Sequence, residues 1–157
     1  MYNTKSDIRR YRIQQKLKVY IMKILVVDAQ GGGIGRAAVA SLKESFPDSE
    51  IVAVGSNAVA TAAMLKAGAD HAATGENAVA VCSKDADFIV GPVGIVIADA
   101  MYGEITPKMA VAIGQSKADR ILIPVYHCKN TIAGIQNYQV DSLIEAAVAE
   151  IKKRSSC

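Results

Sequence analysis

Tryptophan is absent from this chain of 157 residues, and phenylalanine occurs only twice. A core without large aromatic rings has to be closed by small and β-branched side chains. Alanine, valine and isoleucine supply most of the 51% hydrophobic fraction, and such side chains suit close packing of helices onto a parallel sheet. Cysteine is scarce as well. Cys82, Cys128 and Cys157 are odd in number, irregular in spacing and contain no CxxC pair. That argues against a disulfide framework and for reduced thiols in a cytoplasmic setting. No apolar run reaches the roughly 18 residues of a membrane span, and the N-terminus lacks the apolar stretch of a secretory signal. A membrane is therefore not an expected partner.

Positive charge is missing where nucleic-acid binding would need it. The formal net charge of +3 is carried by one end of the chain. Residues 1–21 hold six basic side chains (Lys5, Arg9, Arg10, Arg12, Lys16, Lys18) against Asp7, and the remainder holds twelve basic against fourteen acidic ones. The body is mildly acidic and offers no basic stripe to a phosphate backbone. Residues 1–21 read as a basic extension ahead of Met22, with a partner-contacting helical arm carrying Tyr11, Leu17 and Tyr20 as the alternative. Residues 22–157 read as one domain, long enough to bury roughly 70% of its unfolded surface.

From Met22 onward, apolar runs alternate with helical spacings. Residues 23–28, 50–54, 71–74, 88–90 and 120–125 read as strands. Residues 34–45, 58–67, 76–85 and 140–153 read as helices, and another starts with Thr106 as N-cap and Pro107 in the first turn. Such alternation gives βαβ units and right-handed crossovers. The expected fold is α/β: a three-layer, Rossmann-like, doubly wound sheet of about five parallel strands in the order 3-2-1-4-5. Ala-rich helices at 58–67 and 109–113 are expected to pack against a second copy in a homo-oligomer.

In such a sheet ligands bind beyond the carboxyl ends of the strands, beside the first. The segment Asp28-Ala29-Gln30-Gly31-Gly32-Gly33-Ile34-Gly35 stands there. Glycines allow close backbone approach, and the helix they open aims N–H groups at the same point. A phosphate or pyrophosphate is the expected guest, with a tight ligand-free turn as the alternative. The strict G-x-G-x-x-G spacing fails, because after Gly31 and Gly33 the third place is taken by Arg36. No Lys-Ser or Lys-Thr follows the glycines, so this is not a P-loop. Gln30 and Ile34 stand where the loop of S-adenosylmethionine enzymes wants glycine. The segment resembles the glycine loop of short-chain dehydrogenases, G-x-x-x-G-x-G, with Ala29 in the first place. That resemblance implies an NAD(P)-type dinucleotide as cofactor.

Other loops reach the same rim. The acid that holds an NAD ribose at the end of the second strand is missing. Ser56 and Asn57 stand in its place, suited to a 2′-phosphate and so favouring NADP over NAD; a plain helix cap at Asn57 is equally open. Thr74 and Asn77 follow the third strand, and Gly91, Pro92 and Gly94 follow the fourth. Chemistry is less legible. None of the six tyrosines has lysine four residues later, so the proton-passing Tyr-x-x-x-Lys pair of short-chain dehydrogenases is lacking. Asp99, Tyr102 and Glu104 are the weak catalytic candidates, as acid and base or as ligands for Mg²⁺ beside phosphates. A helix-capping role is their alternative, and no resident metal is expected. His127-Cys128 is a lesser candidate for nucleophilic chemistry.

Two segments together, residues 28–35 and Gly103-Glu104-Ile105-Thr106-Pro107-Lys108-Met109-Ala110, resemble the hallmark motifs of an uncharacterised group of short bacterial proteins, a domain of unknown function. The similarity spans residues 22–151. It implies a bacterial cytosolic origin and a Rossmann-like domain, and carries no reaction. The expected function is binding of a small-molecule nucleotide or dinucleotide as a sensor or regulatory module. The alternatives are a small oxidoreductase or nucleotide-using transferase, and a partner protein without ligand.

Overall fold

The computed structural model describes residues 20–125, 130–136 and 139–156. Most of the basic extension, together with Tyr126, His127, Cys128, Tyr138 and Cys157, lies outside the described residues. The chain runs β1 (Lys23–Asp28), α1 (Gly33–Ser45), β2 (Glu50–Gly55), α2 (Ala58–Lys66), β3 (His71–Thr74), α3 (Glu76–Cys82), β4 (Phe88–Pro92), a 3-10 turn (Val93–Val96), α4 (Pro107–Gly114), β5 (Asp119–Ile123) and α5 (Val140–Ser155). The five strands form a parallel sheet in the order β3-β2-β1-β4-β5. This is the Rossmann-like doubly wound arrangement expected from the alternation of elements.

Successive side chains of a strand point to opposite faces, and β1 shows the consequence. Ile24 and Val26 enter one core with Ala38, Val39 and Leu42 of α1, Met64 of α2 and Ile144, Val148 and Ile151 of α5. Leu25 and Val27 enter the other with Val79 of α3 and Met109 and Ile113 of α4. A strand buried on both faces has no polar alternation to show, so it reads as a continuous apolar run. Burying each large aliphatic side chain contributes about 1.5–3 kcal/mol. The central position of β1, paired with β2 through Asp28 and Gly55 and with β4 on its other side, puts the glycine loop at the point where the sheet order reverses.

Several boundaries differ from the sequence reading. The helix expected over 76–85 stops at Cys82, because the Ser83 hydroxyl turns back onto the Val79 carbonyl and the Ser83 carbonyl accepts from Ser116. The fourth strand runs on through Pro92, and the fifth ends at Ile123, before Pro124. The helix start at Thr106 and Pro107 is as expected: the Thr106 hydroxyl accepts from the Met109 N–H at 3.2 Å. On the Ala-rich helices, Val59, Leu65 and Val111 are exposed. Among the described residues no helix is long and apolar enough to cross a membrane.

Candidate functional site

β1 ends in Asp28, whose side chain is only 4% exposed. One carboxylate oxygen accepts from the Ala29 N–H at 2.8 Å, and the other from the Gly35 N–H at 2.6 Å. A single carboxylate thus clamps both ends of the glycine loop. Burial pushes its pKa up, two backbone N–H groups oppose that, and the nearby negative charge of Glu104 adds to it. Both oxygens of Asp28 are thus engaged in orienting the loop.

The loop contains two kinds of glycine. Gly32 lies at φ +68, and a Cβ there would meet the backbone of Ala60 at 2.7 Å. A Cβ on Gly35 would meet Met64 Sδ at 2.5 Å and Asp28 Cβ at 2.7 Å. These two are fixed by packing of the loop and of α1 against β1 and α2. Gly31 and Gly33 have nothing within 4 Å of a Cβ and face open space. α1 begins at Gly33, and no side chain at its N-cap satisfies the first turn. Helix N-termini present unpaired N–H groups and partial positive charge.

Residues 97–105 fold back on themselves. The Asp99 N–H donates to the Ile105 carbonyl, the Ile105 N–H to Ala100, the Gly103 N–H to Asp99 and the Glu104 N–H to Met101. Buried Ile105 anchors this turn. Its shape projects Glu104 across to the loop after β2. There Glu104 Oε2 accepts from the Gln30 N–H at 2.9 Å, from Ser56 Oγ at 2.5 Å and from Asn57 Nδ2 at 2.8 Å. The Ser56 hydroxyl holds this carboxyl below its ordinary pKa, against the cost of desolvation, with help from Gln30 and Asn57. Asn57 also caps α2, accepting from the Ala60 N–H at 2.9 Å, and donates to the Gln30 carbonyl at 3.0 Å. The capping role foreseen for Asn57 is therefore real, while the donors expected to receive a 2′-phosphate are given to Glu104. Glu104 itself does not cap α4; Thr106 does.

A cleft of about 790 Å³ opens on the other flank of Gln30. Its floor is Asp28 to Ile34, and its far wall is Pro92 and residues 97–102, with Val125 and Asn130 closing one end. The wall is largely apolar, through Pro92, Ile97, Ala98, Ala100 and Met101. Tyr102 stands at the rim, 101% exposed. Among the described residues, four non-glycine residues have left-handed backbones: Gln30, Asp99, Met101 and Tyr102. All four line this cleft.

The structure therefore gathers part of the expected site. The glycine loop, Pro92, Asp99 and Tyr102 meet in the cleft, whereas Ser56, Asn57 and Glu104 form a separate cluster behind Gln30. Of Asp99 and Glu104, considered together as an acid–base or Mg²⁺ pair, Asp99 lines this cleft and Glu104 is not among its lining residues. Gly91 lies outside the lining: its missing side chain leaves room for the Val27 carbonyl and Ile95. Gly94 is packed against Met101. Thr74 Oγ1 shares a 2.7 Å hydrogen bond with Thr61 Oγ1, and Asn77 is exposed in the first turn of α3. Ile97, Ala98, Ala100, Met101, Val125 and Asn130 were not legible as site residues. Their common signal is position: each follows the carboxyl end of β4 or β5. Among the described residues no group of three or more His, Cys, Asp or Glu is placed to hold a metal ion.

A family model described as a domain of unknown function (DUF3842) matches residues 23–156. That span includes both the glycine loop and the 103–110 segment. No curated protein matches the chain.

Proposed function

We propose, for a chain that belongs to the DUF3842 family, a function read from its own residues: it binds a nucleotide, most suitably a dinucleotide of the NAD(P) type, and serves as a sensor or regulatory module. One observation carries this reading. Within one loop, Gly32 and Gly35 are filled in by protein, while Gly31 and Gly33 face open space beside a helix start whose N-cap, Gly32, brings no side chain and where Asp28 takes only the Gly35 N–H. A left-handed turn at Gly32 and close packing at Gly35 account for the first pair; room for a close-lying anion suits the second.

The residues present fit such a ligand. Phosphates would lie against Gly31 to Ile34. One nucleoside would enter the cleft of about 790 Å³, within the range of volumes that hold cofactors. Its mostly apolar wall suits a ring, and Tyr102 at the rim offers an aromatic face. Asp28 keeps the loop in shape. A bound nicotinamide would supply hydride chemistry, but the chain has no Tyr-x-x-x-Lys pair to move the accompanying proton, which favours binding over turnover.

A thermal-shift panel on the full chain tests this, with NAD, NADP, ATP, ADP, FAD and S-adenosylmethionine at saturating concentration. A ligand at a hundred times its Kd stabilises the native state by about 2.7 kcal/mol. A rise in melting temperature with the dinucleotides is expected. No shift with any of the six refutes the proposal.

A further inference from the structure

A dinucleotide lying across the start of α1 extends to both sides of β1. One nucleoside falls on the β4 side, where the cleft lies, and the other over the carboxyl end of β2. β2 ends at Gly55, and the next two residues, Ser56 and Asn57, carry no charge. From the sequence this end of the site lacks an acid. The fold supplies one from 48 residues further along the chain than Ser56. Glu104 arrives from the turn after β4, with Oε2 held by three donors: Gln30 N, Ser56 Oγ and Asn57 Nδ2.

The two oxygens of this carboxylate are not equivalent. Oε2 is saturated, whereas Oε1 takes no hydrogen bond from the described residues. No lysine or arginine among the described residues bonds to the cluster. A fixed carboxylate with one open oxygen is an acceptor for hydroxyl groups. It also repels a phosphate brought to the same place. Ser56 and Asn57, which alone would suit a phosphate, here serve to position an anion.

We infer that Glu104 accepts the ribose hydroxyls of the nucleoside over the end of β2, and thereby selects a dinucleotide with a free 2′-hydroxyl against one bearing a 2′-phosphate. This rests on the dinucleotide reading of the glycine loop. It assigns to Glu104 a positioning and specificity role, and reverses the preference that Ser56 and Asn57 suggest by themselves.

The test is isothermal titration of the full chain with NAD and NADP, and with the smaller pair 5′-AMP and adenosine 2′,5′-bisphosphate. These pairs differ only in the 2′-phosphate. The unphosphorylated member is expected to bind tighter by on the order of tenfold or more, the scale of a lost charge-assisted hydrogen bond. In Glu104→Gln, NAD should weaken, NADP should strengthen and the ratio should collapse toward one. A 2′-deoxy-ADP titration adds an independent readout: it should bind more weakly than ADP in the native chain, and by a smaller factor in Glu104→Gln, where only a neutral hydrogen bond is left to the 2′-hydroxyl. Equal or tighter binding of NADP by the native chain overturns the inference, and so does a ratio unchanged in a folded Glu104→Gln. If that variant does not fold, the comparison in the native chain decides alone. Binding of both dinucleotides without preference leaves the nucleotide site standing and removes only the role of Glu104; binding of none removes both.

Discussion

Replacing Gly35 with alanine probes the contact on which the site is built. The added Cβ would lie 2.5 Å from Met64 Sδ, 2.7 Å from Asp28 Cβ and 3.0 Å from Asp28 Oδ2. Methionine adapts readily, so the sulfur can yield. Asp28 cannot: it ends the central strand, and its carboxylate holds both Ala29 and Gly35. Overpacking of this kind costs about 1–3 kcal/mol. Pushing Asp28 off the Gly35 N–H removes a hydrogen bond to a charged group, about 1.5–3 kcal/mol if lost outright. Alanine returns up to about 1 kcal/mol through its helix propensity. The expected net loss is about 2–3 kcal/mol, or roughly 5–10 °C in Tm at about 2–4 °C per kcal/mol for a chain of this size. Gly114→Ala is the matched control, since a Cβ there meets nothing within 4 Å at the end of α4. It should hold or raise stability, by up to about 1 kcal/mol. Urea melts followed by circular dichroism give both values. A Gly35→Ala chain as stable as Gly114→Ala would refute the packing argument and the role given to Asp28.

Other perturbations separate binding from folding. Gly33→Val puts a branched side chain into the open face of the loop, so nucleotide-induced thermal shifts should vanish while the ligand-free Tm stays within a few degrees; an unchanged ligand shift would place the phosphate elsewhere. Thr106→Ala removes both the cap on Met109 and the 2.7 Å bond to Glu76, and should lower the urea-derived stability by about 1 kcal/mol; no change would mean that Pro107 alone sets the start of α4. The carboxyl of Glu104 is held below its ordinary pKa, chiefly by Ser56. Its contribution is therefore fully present above the unfolded value of about 4.3 and is lost as pH falls through the lower folded value. The stability gap between the native chain and Glu104→Gln should narrow on acidification below about pH 4.3, and a gap that widens there would contradict the hydrogen bonds assigned to Glu104. Asp28, with its pKa raised by burial, works in the opposite sense and on the other side: its contribution is present below the unfolded value of about 3.9 and is lost as pH rises through the raised folded value.

The sheet was legible because its chemistry is local. Strands buried on both faces appear as apolar runs, and the glycines and prolines that end them are visible in one dimension. The clamp at Asp28 was half legible: an acid before a glycine loop suggests an orienting acceptor, and it bonds to residues one and seven positions away. Glu104 was legible as a residue of interest and not in its role. Its partners are 74, 48 and 47 residues distant in the chain, and only the crossover from β3 to β4, past β2 and β1, brings them together. A helix start two residues later offered a nearer explanation, which Thr106 in fact satisfies. The cleft wall was least legible, since Ile97, Ala98, Ala100 and Met101 are residues that would serve equally well in a core.

The left-handed residues connect these observations. Non-glycine residues in that region are uncommon, and each costs on the order of 1–3 kcal/mol where it is strained. Here Asp99, Met101 and Tyr102 fall within four positions, and Gln30 faces them across the cleft. A turn with glycines at those positions would be cheaper, and Gly103 shows that the segment contains one such residue already. Side chains are therefore kept at 99, 101 and 102 at a conformational cost. Met101 fills the space beside Gly94, which accounts for one of them by packing. Asp99 and Tyr102 project outward and support nothing in the core. The cost is sustained because the turn is over-determined: Ile105 is buried, four backbone hydrogen bonds close the loop, and Glu104 is held by three donors from the opposite side of the site. The same carboxylate that reaches the end of β2 thus also holds the wall of the cleft in place. On the proposed reading, a ligand that bonds to Glu104 at one end of the site and lies against Tyr102 at the other would engage two ends of a single turn, and recognition of its two nucleosides would be coupled through residues 99–104.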